Sequence, residues 1–195
     1  MIYNDVIFGS VSSADFEINK LELSARIGAG VDYDNELLQE CLKEFESVAN
    51  YKYAYIKVPV CVTNNICDFG FASTESQSLS SVLSNSKEVY IIAVSAGLEV
   101  DRLITKLYLH NSPSAFFMDC IGSAAVESLA DYIDIKICEG LDTTNRFSPG
   151  YADFPLEFQK DLLARISASQ TVGINLSDKL MMTPMKSITA IIGIK

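Results

Sequence analysis

The sequence predicts an α+β fold, and three observations support that prediction. Residues 88–95 are apolar on both faces, which is typical of a central β-strand. Other stretches repeat apolar residues at helical spacing, the longest of them at residues 112–135. Strand and helix patterns also interleave without the regular alternation of a doubly wound fold, which favours α+β.

Four strand or helix patterns occupy the first 71 residues of the chain. Residues 5–8 are predicted to open a short strand, and residues 34–49 to form an amphipathic helix capped by Asp32 or Asp34. Residues 51–63 alternate in the manner of a strand, and the Asn64–Asn65 turn signal leads into a second strand at residues 66–71. After these, the patterns predict four helices and a terminal strand, at residues 76–83, 99–110, 112–135, 156–167 and 182–194.

Composition limits the classes of function. With 195 residues, 49% of them hydrophobic, the chain is expected to form one domain, 1–195, around one core. A net charge of −10 without any run of Lys or Arg argues against nucleic acid and against an anionic membrane surface. No apolar run reaches the roughly 18 residues of a membrane span. Residues 1–5 lack the pattern of a secretory signal, so we expect a cytoplasmic protein.

Familiar catalytic and metal-binding patterns are absent from the sequence. There is no GxGxxG motif after a strand, no P-loop and no GxSxG elbow. The five cysteines are scattered without a CxxC pair, which favours ordinary buried thiols over zinc ligands. His110 is the single histidine and has no evident nucleophilic partner. The sequence therefore predicts neither a catalytic residue nor a metal site.

The most informative segment is residues 146–155, Arg-Phe-Ser-Pro-Gly-Tyr-Ala-Asp-Phe-Pro, between two predicted helices. The planar guanidinium of Arg146 can bind a carboxylate or phosphate through two hydrogen bonds. Gly150 lets the backbone approach a ligand closely, and Tyr151 offers a ring face to a cation or an adenine. A site for a small anionic ligand is one interpretation. The other is that Arg146 caps the preceding helix while Tyr151 packs as an anchor.

Glu127 is a second candidate, because it lies among the small residues of the long predicted helix. A carboxylate there could face a ligand and complement a positive centre. It could equally belong to a solvated helix face shared with Asp131.

Residues 146–155 resemble the RxxxGYxxxP motif of the activation domain of cobalamin-dependent methionine synthase. Three further segments resemble that family in the same order along the chain. Residues 125–131 are similar to its glutamate-bearing helix, residues 173–177 to its G-apolar-x-L-T/S step, and residues 182–190 to its M-x-P-x-x-S strand. The resemblance covers roughly residues 115–195.

This resemblance implies a mainly antiparallel, twisted sheet with flanking helices that binds S-adenosylmethionine. Arg146 would bind the methionyl carboxylate, and Glu127 would lie near the amino or sulfonium charge. The implied cofactor-binding residues are Glu127, Arg146, Ser148, Gly150, Tyr151, Ala152 and Asp153.

The resemblance also implies a role in reactivating a corrinoid enzyme by reductive methylation of its cob(II)alamin. The sequence has no corrinoid-ligand DxHxxG motif, so cobalamin would be supplied by a separate methionine synthase or related corrinoid protein, with a flavodoxin-like electron donor. The chain would act in trans as a component of that methyltransferase.

Two alternatives remain open. The family domain continues with further ligand-contacting residues after the strand that holds Ser187, and no equivalent of its early aspartate ligand is evident. A corrinoid-protein docking module that no longer binds S-adenosylmethionine is therefore the main alternative. An ordinary small-molecule methyltransferase is disfavoured, because no Gly-rich nucleotide loop follows the first strand.

Overall fold

A computed structural model describes residues 5–28 and 32–195. The strands are β1 Ile7–Ser10, β2 Lys52–Pro59, β3 Cys61–Thr63, β4 Ile66–Asp68, β5 Ser73–Glu75, β6 Glu88–Ser95, β7 Asn175–Leu176, β8 Met182–Thr183 and β9 Ser187–Ile194. The helices are α1 Lys20–Ile27, α2 Glu36–Val48, α3 Gln77–Val82, α4 Leu98–His110, α5 Ser112–Ile137, α6 Gln159–Arg165 and α7 Ala168–Thr171, with a 3-10 turn at Leu156–Phe158.

The largest sheet has four antiparallel strands in the order β1-β2-β6-β9. Strand β6 lies inside it, and its side chains are buried on both faces, as expected for a central strand. Val94 belongs to the core formed with α1, α2, α4 and α5, whereas Ile91 and Ala93 belong to the core on the opposite face, which includes residues of α6 and α7. The sheet is therefore covered by helices on both sides.

Helix α5 is the central helix of its layer and contacts α1, α2, α4, β6 and β9. Gly122 permits close packing of α5 on Lys186, because a Cβ atom at this position would lie only 3.1 Å from the Lys186 side chain. The ammonium of the buried Lys186 pairs with Asp119 at 2.9 Å and donates a second hydrogen bond to the Ser123 hydroxyl at 2.8 Å. These contacts fix β9 under α5, so the C-terminal half of α5 lies beside one edge of the sheet.

The α+β prediction is confirmed: antiparallel sheets are flanked by helices. The central strand at 88–95 is also confirmed with its predicted bounds. Three of the predicted strands are longer than the strands observed. The strand predicted at residues 66–71 ends at Asp68 as β4. Residues 51–63 divide at Val60 into β2 and β3, and residues 182–194 divide around Pro184 into β8 and β9. A proline has no N–H group to donate to a strand ladder, which accounts for the second break.

Smaller differences concern the beginning of the chain. Helix α1 was not predicted, because it is short and charged and only Leu23 within it is fully buried. Helix α2 is capped by Asn35 rather than by Asp32 or Asp34. Cys61 is exposed and Cys138 is half-buried, contrary to the expectation of five buried thiols. The expectation that no secretory signal is present concerned residues 1–5, and residues 1–4 lie outside the described residues.

Among residues 5–28 and 32–195, no helix combines the length and the apolar composition needed to cross a bilayer.

Candidate ligand-binding site

The segment that carries Arg146 runs along the edge of β9. Phe147 and Ile191 exchange both backbone hydrogen bonds at 2.9 Å, and the Thr144 N–H donates to the Gly193 carbonyl, also at 2.9 Å. This pairing makes residues 143–147 an irregular extra strand. Successive side chains of a strand point to opposite faces, so Phe147 stacks with Phe154 while Arg146 points to α5.

Arg146 contacts three carboxylates of α5. Its Nη1 lies 2.6 Å from Asp134 Oδ2 and 2.8 Å from Asp131 Oδ1, and its Nη2 lies 3.2 Å from Glu127 Oε2. The three acids are spaced four and three residues apart, which places them on one face of a helix. One guanidinium is thus shared by three carboxylates.

The charges in this cluster alter one another. Burial raises the pKa of Asp134 to about 6, although Arg146 acts in the opposite direction. Burial also opposes the charge of Arg146, but Asp134 and Asp131 outweigh it and raise the pKa of the guanidinium above its ordinary value. The second carboxylate oxygen of Asp134, Oδ1, is buried without a hydrogen-bond partner among the described residues. A polar atom of this kind is costly unless water, a ligand or a proton meets it.

A cavity of about 740 Å³ opens beside the cluster. Such a volume lies within the range of small-molecule sites. Its walls are the C-terminal half of α5, residues 143–149 with Tyr151, Gln159, and residues of β8 and β9. Its lining combines the four charged groups with aromatic rings and hydroxyl groups: Glu127, Asp131, Asp134, Arg146, Phe147, Tyr151, Thr143, Thr144, Ser148, Ser187 and Thr189.

The turn after Phe147 is held by its own backbone. The Gly150 N–H donates to the Phe154 carbonyl at 2.9 Å, and the Tyr151 N–H donates to the Ser148 carbonyl at 3.2 Å. Gly150 has a φ of +89°, which other residues rarely adopt, so glycine is required there for conformation. Ala152 has a φ of +49°, an unfavourable value for a residue with a Cβ atom. The turn is therefore a strained, fixed structure.

Asp153 serves a different element. Its carboxylate accepts hydrogen bonds from the Ser76 hydroxyl at 2.8 Å, the Gln77 N–H at 2.7 Å and the Ser78 N–H at 3.1 Å. These groups lie at the beginning of α3, where unpaired N–H groups attract an anion. The bonds from Ser76 and Ser78 hold the pKa of Asp153 well below its usual range. Asp153 thus connects the turn to α3.

Of the residues predicted for the site, the structure brings four to the cavity: Glu127, Arg146, Ser148 and Tyr151. Gly150, Ala152 and Asp153 do not line it; they shape and attach the turn.

The alternative interpretation made Arg146 a helix cap and Tyr151 a packed anchor, and the structure contains neither arrangement. Arg146 donates to acidic side chains of α5 rather than to its terminal carbonyl groups. Tyr151 is 64% exposed, so it is not a buried anchor. For Glu127 the alternative was a solvated helix face shared with Asp131. The two residues do share a partly exposed face, but both contact the guanidinium of Arg146.

Sequence reasoning missed Asp134 as a partner of Arg146. The available signal was its position seven residues after Glu127 and three after Asp131, which predicts a common helix face. The β9 side chains that form another wall, Ser187 and Thr189, were also missed.

No protein-family model matches the sequence, and no curated protein sequence matches it significantly. Among solved structures, the chain is similar to the crystal structure of the MetH reactivation domain bound to AdoHcy. The alignment has a TM-score of 0.68 and covers 96% of this chain and 78% of the other. The two chains share a fold. Only 14% of aligned residues are identical, so the likeness concerns the fold alone.

Proposed function

We propose that this protein binds S-adenosylmethionine in the cavity beside Arg146 and supports reductive methylation of cob(II)alamin on a separate corrinoid-dependent methionine synthase. One observation carries the proposal. The Arg146 segment, singled out from sequence, lines a 740 Å³ cavity in a fold shared with a domain whose structure contains AdoHcy.

The residues around the cavity fit such a ligand. Within the described chain, Nε of Arg146 makes no hydrogen bond, and the Nη2 contact to Glu127 is the longest of the three at 3.2 Å. These donors would hold the methionyl carboxylate. The carboxylates of Glu127 and Asp131 complement the positive sulfonium and ammonium groups, and the rings of Phe147 and Tyr151 can pack on an adenine.

When bound, S-adenosylmethionine would supply a methyl group from its sulfonium to the partner's corrinoid, with one electron from a flavodoxin-like donor. The residues of this chain would hold both ends of the ligand and limit the access of water. Such positioning needs no general acid or base, which agrees with the absence of a recognisable catalytic motif. The chain would therefore act as a component of the methyltransferase.

Calorimetric titration with S-adenosylmethionine tests the binding step, with ATP as a control for non-specific adenine binding. Binding of the sulfonium ligand without binding of ATP is expected. The second step is to add the protein, a reductant and S-adenosylmethionine to a methionine synthase that lacks its own reactivation domain and carries cob(II)alamin. Its visible spectrum should change to that of methylcobalamin only when this protein is present. Absence of any heat of binding at millimolar ligand would refute the proposal.

A second function, docking to a corrinoid protein without a nucleotide ligand, is favoured by a specific observation. Arg146 is already neutralised within the chain, and the Gly150 N–H is satisfied by Phe154. A docking module would retain the corrinoid partner in equilibrium dialysis or co-purification while leaving S-adenosylmethionine free in solution.

A further inference from the structure

Asp134 makes the shortest contact to the guanidinium of Arg146, at 2.6 Å, and its side chain is less exposed than that of Asp131, at 24% against 56%. We propose that Asp134 is a positioning residue, which fixes Arg146 so that its remaining donors face the carboxylate of the ligand. The inference rests on the proposed function, because it concerns how the same cavity recognises its ligand.

The geometry divides the guanidinium into two ends. Nη1 is held by Asp134 and Asp131, while Nη2 has one longer contact to Glu127 and Nε has none within the described chain. An arginine side chain has several rotatable bonds, so its donors are directed only if its tip is held. The backbone pairing of Phe147 fixes the base of the segment. Asp134 fixes the tip.

The surroundings of Asp134 make this contact dependent on pH. The charged or titratable groups that act on it are Arg146 from the paired segment, Glu127 and Asp131 from α5, and Cys138, the residue that follows α5. The facing residues of β9 that line the cavity do not titrate: Ser187, Ile188, Thr189 and Ile192. Because burial raises the pKa of Asp134 to about 6, its charge changes in a range where an α-amino group, with a pKa of about 7.7–8, stays protonated.

The experiment compares Asp134→Asn and Asp134→Glu with the native protein, using two ligands. S-adenosylmethionine has the carboxylate, whereas its decarboxylated form keeps the sulfonium and the amine but lacks it. If Asp134 acts through Arg146, Asp134→Asn should weaken S-adenosylmethionine binding about tenfold and leave the decarboxylated ligand unchanged. Asp134→Glu should restore much of the difference. In the native protein, preference for the carboxylate ligand should decline as the pH falls below about 6, and in Asp134→Asn it should not.

Three outcomes would overturn the assignment. Equal losses for both ligands would mean that Asp134 acts directly on the positive charge. Tighter binding of S-adenosylmethionine to Asp134→Asn would mean that Asp134 competes with the ligand for Arg146. Unchanged affinity for both ligands would leave Asp134 without a role in recognition. In each of these cases the native protein binds S-adenosylmethionine, so the proposed function itself stands. The pH series on the native protein decides the matter if Asp134→Asn does not fold.

Discussion

A single guanidinium among three carboxylates determines the electrostatics of the candidate site. The pairing keeps Arg146 charged despite its partial burial, and it leaves the cluster with more negative than positive groups. Such a cavity favours a ligand that carries positive charge and also offers one carboxylate. S-adenosylmethionine has this combination, whereas a nucleoside polyphosphate does not.

Replacement of Arg146 by alanine should weaken S-adenosylmethionine binding by about 1.5–3 kcal/mol, the usual contribution of a hydrogen bond to a charged group. Isothermal titration calorimetry measures the change. Arg102→Ala is a matched control, because Arg102 forms an exposed pair with Glu99 on α4 and does not line the cavity. Equal affinity of Arg146→Ala and native protein would remove Arg146 from the binding site, provided that circular dichroism shows both variants folded.

Individual residues that line the candidate cavity were predictable where the local sequence was unusual. Arg146 and Tyr151 were identified because their segment combines two prolines, a glycine and an arginine. A surface turn between two helices does not require that combination. Asp134 was not found, since its role depends on the rotation of α5 relative to the paired segment. Asp153 shows the converse: its position in the motif suggested a ligand contact, but the unpaired N–H groups of α3 engage its carboxylate.

At the scale of elements, the contact between β9 and its neighbours depends on Gly193. A Cβ atom at this position would lie 2.8 Å from Leu83 Cδ2 and 3.0 Å from Thr144 Cγ2, and it would also collide with the Ser86 hydroxyl. The absence of a side chain thus lets the segment before Arg146 approach β9, where the Gly193 N–H donates to the Thr144 hydroxyl at 2.8 Å.

Gly193→Ala should therefore destabilise the protein by about 1–3 kcal/mol, as overpacking of a close contact does. Chemical denaturation provides the free energy of unfolding. Gly9→Ala is the control within the same sheet, because a Cβ atom there meets mainly the end of the Tyr53 side chain, which can move. If the two variants lose the same stability, the close approach at Gly193 is not what limits the packing of β9.

The strands and helices that sequence predicted best were those buried in the sheet or in the helix layer above it. Strand β6 and helix α5 have patterns long enough to identify them, whereas α1 and the paired segment 143–147 do not. That segment forms only isolated bridges to β9, and its pairing depends on tertiary contacts that local propensity does not encode.

At the scale of the whole molecule, Asp134 links stability to pH. Its pKa is about 6 in the folded protein, against an ordinary value of about 3.8. Between these values the folded state retains a proton that the unfolded state has released, so the contribution of Asp134 to stability falls as the pH rises. Ionisation of Asp134, which we propose positions Arg146, thus lowers the stability of the folded protein.

The native protein should accordingly lose stability relative to Asp134→Asn as the pH rises from about 4 to 6. We expect a change of about 2 kcal/mol, allowing for the partial exposure of the side chain. Urea denaturation of both proteins at several pH values measures it. A difference that stays constant over this range, or that grows in favour of the native protein, would show that the carboxyl group is not protonated in the folded state.

The fold class was predictable because composition, the central strand and the helical periodicities agreed with one another. The order of strands in the sheet was not, since β9 pairs with β6 across almost a hundred intervening residues. The single domain expected for residues 1–195 stays a prediction.

The pairing of residues 143–147 with β9 has one more consequence. Strand β9 is the last strand of the main sheet, and a long apolar strand in that position can serve as a template for another chain. The backbone bonds of Thr144 and Phe147 occupy part of that template. The segment that carries Arg146 therefore also protects the molecule from edge-to-edge association, so substitutions that loosen the segment should promote aggregation as well as impair the proposed binding of S-adenosylmethionine.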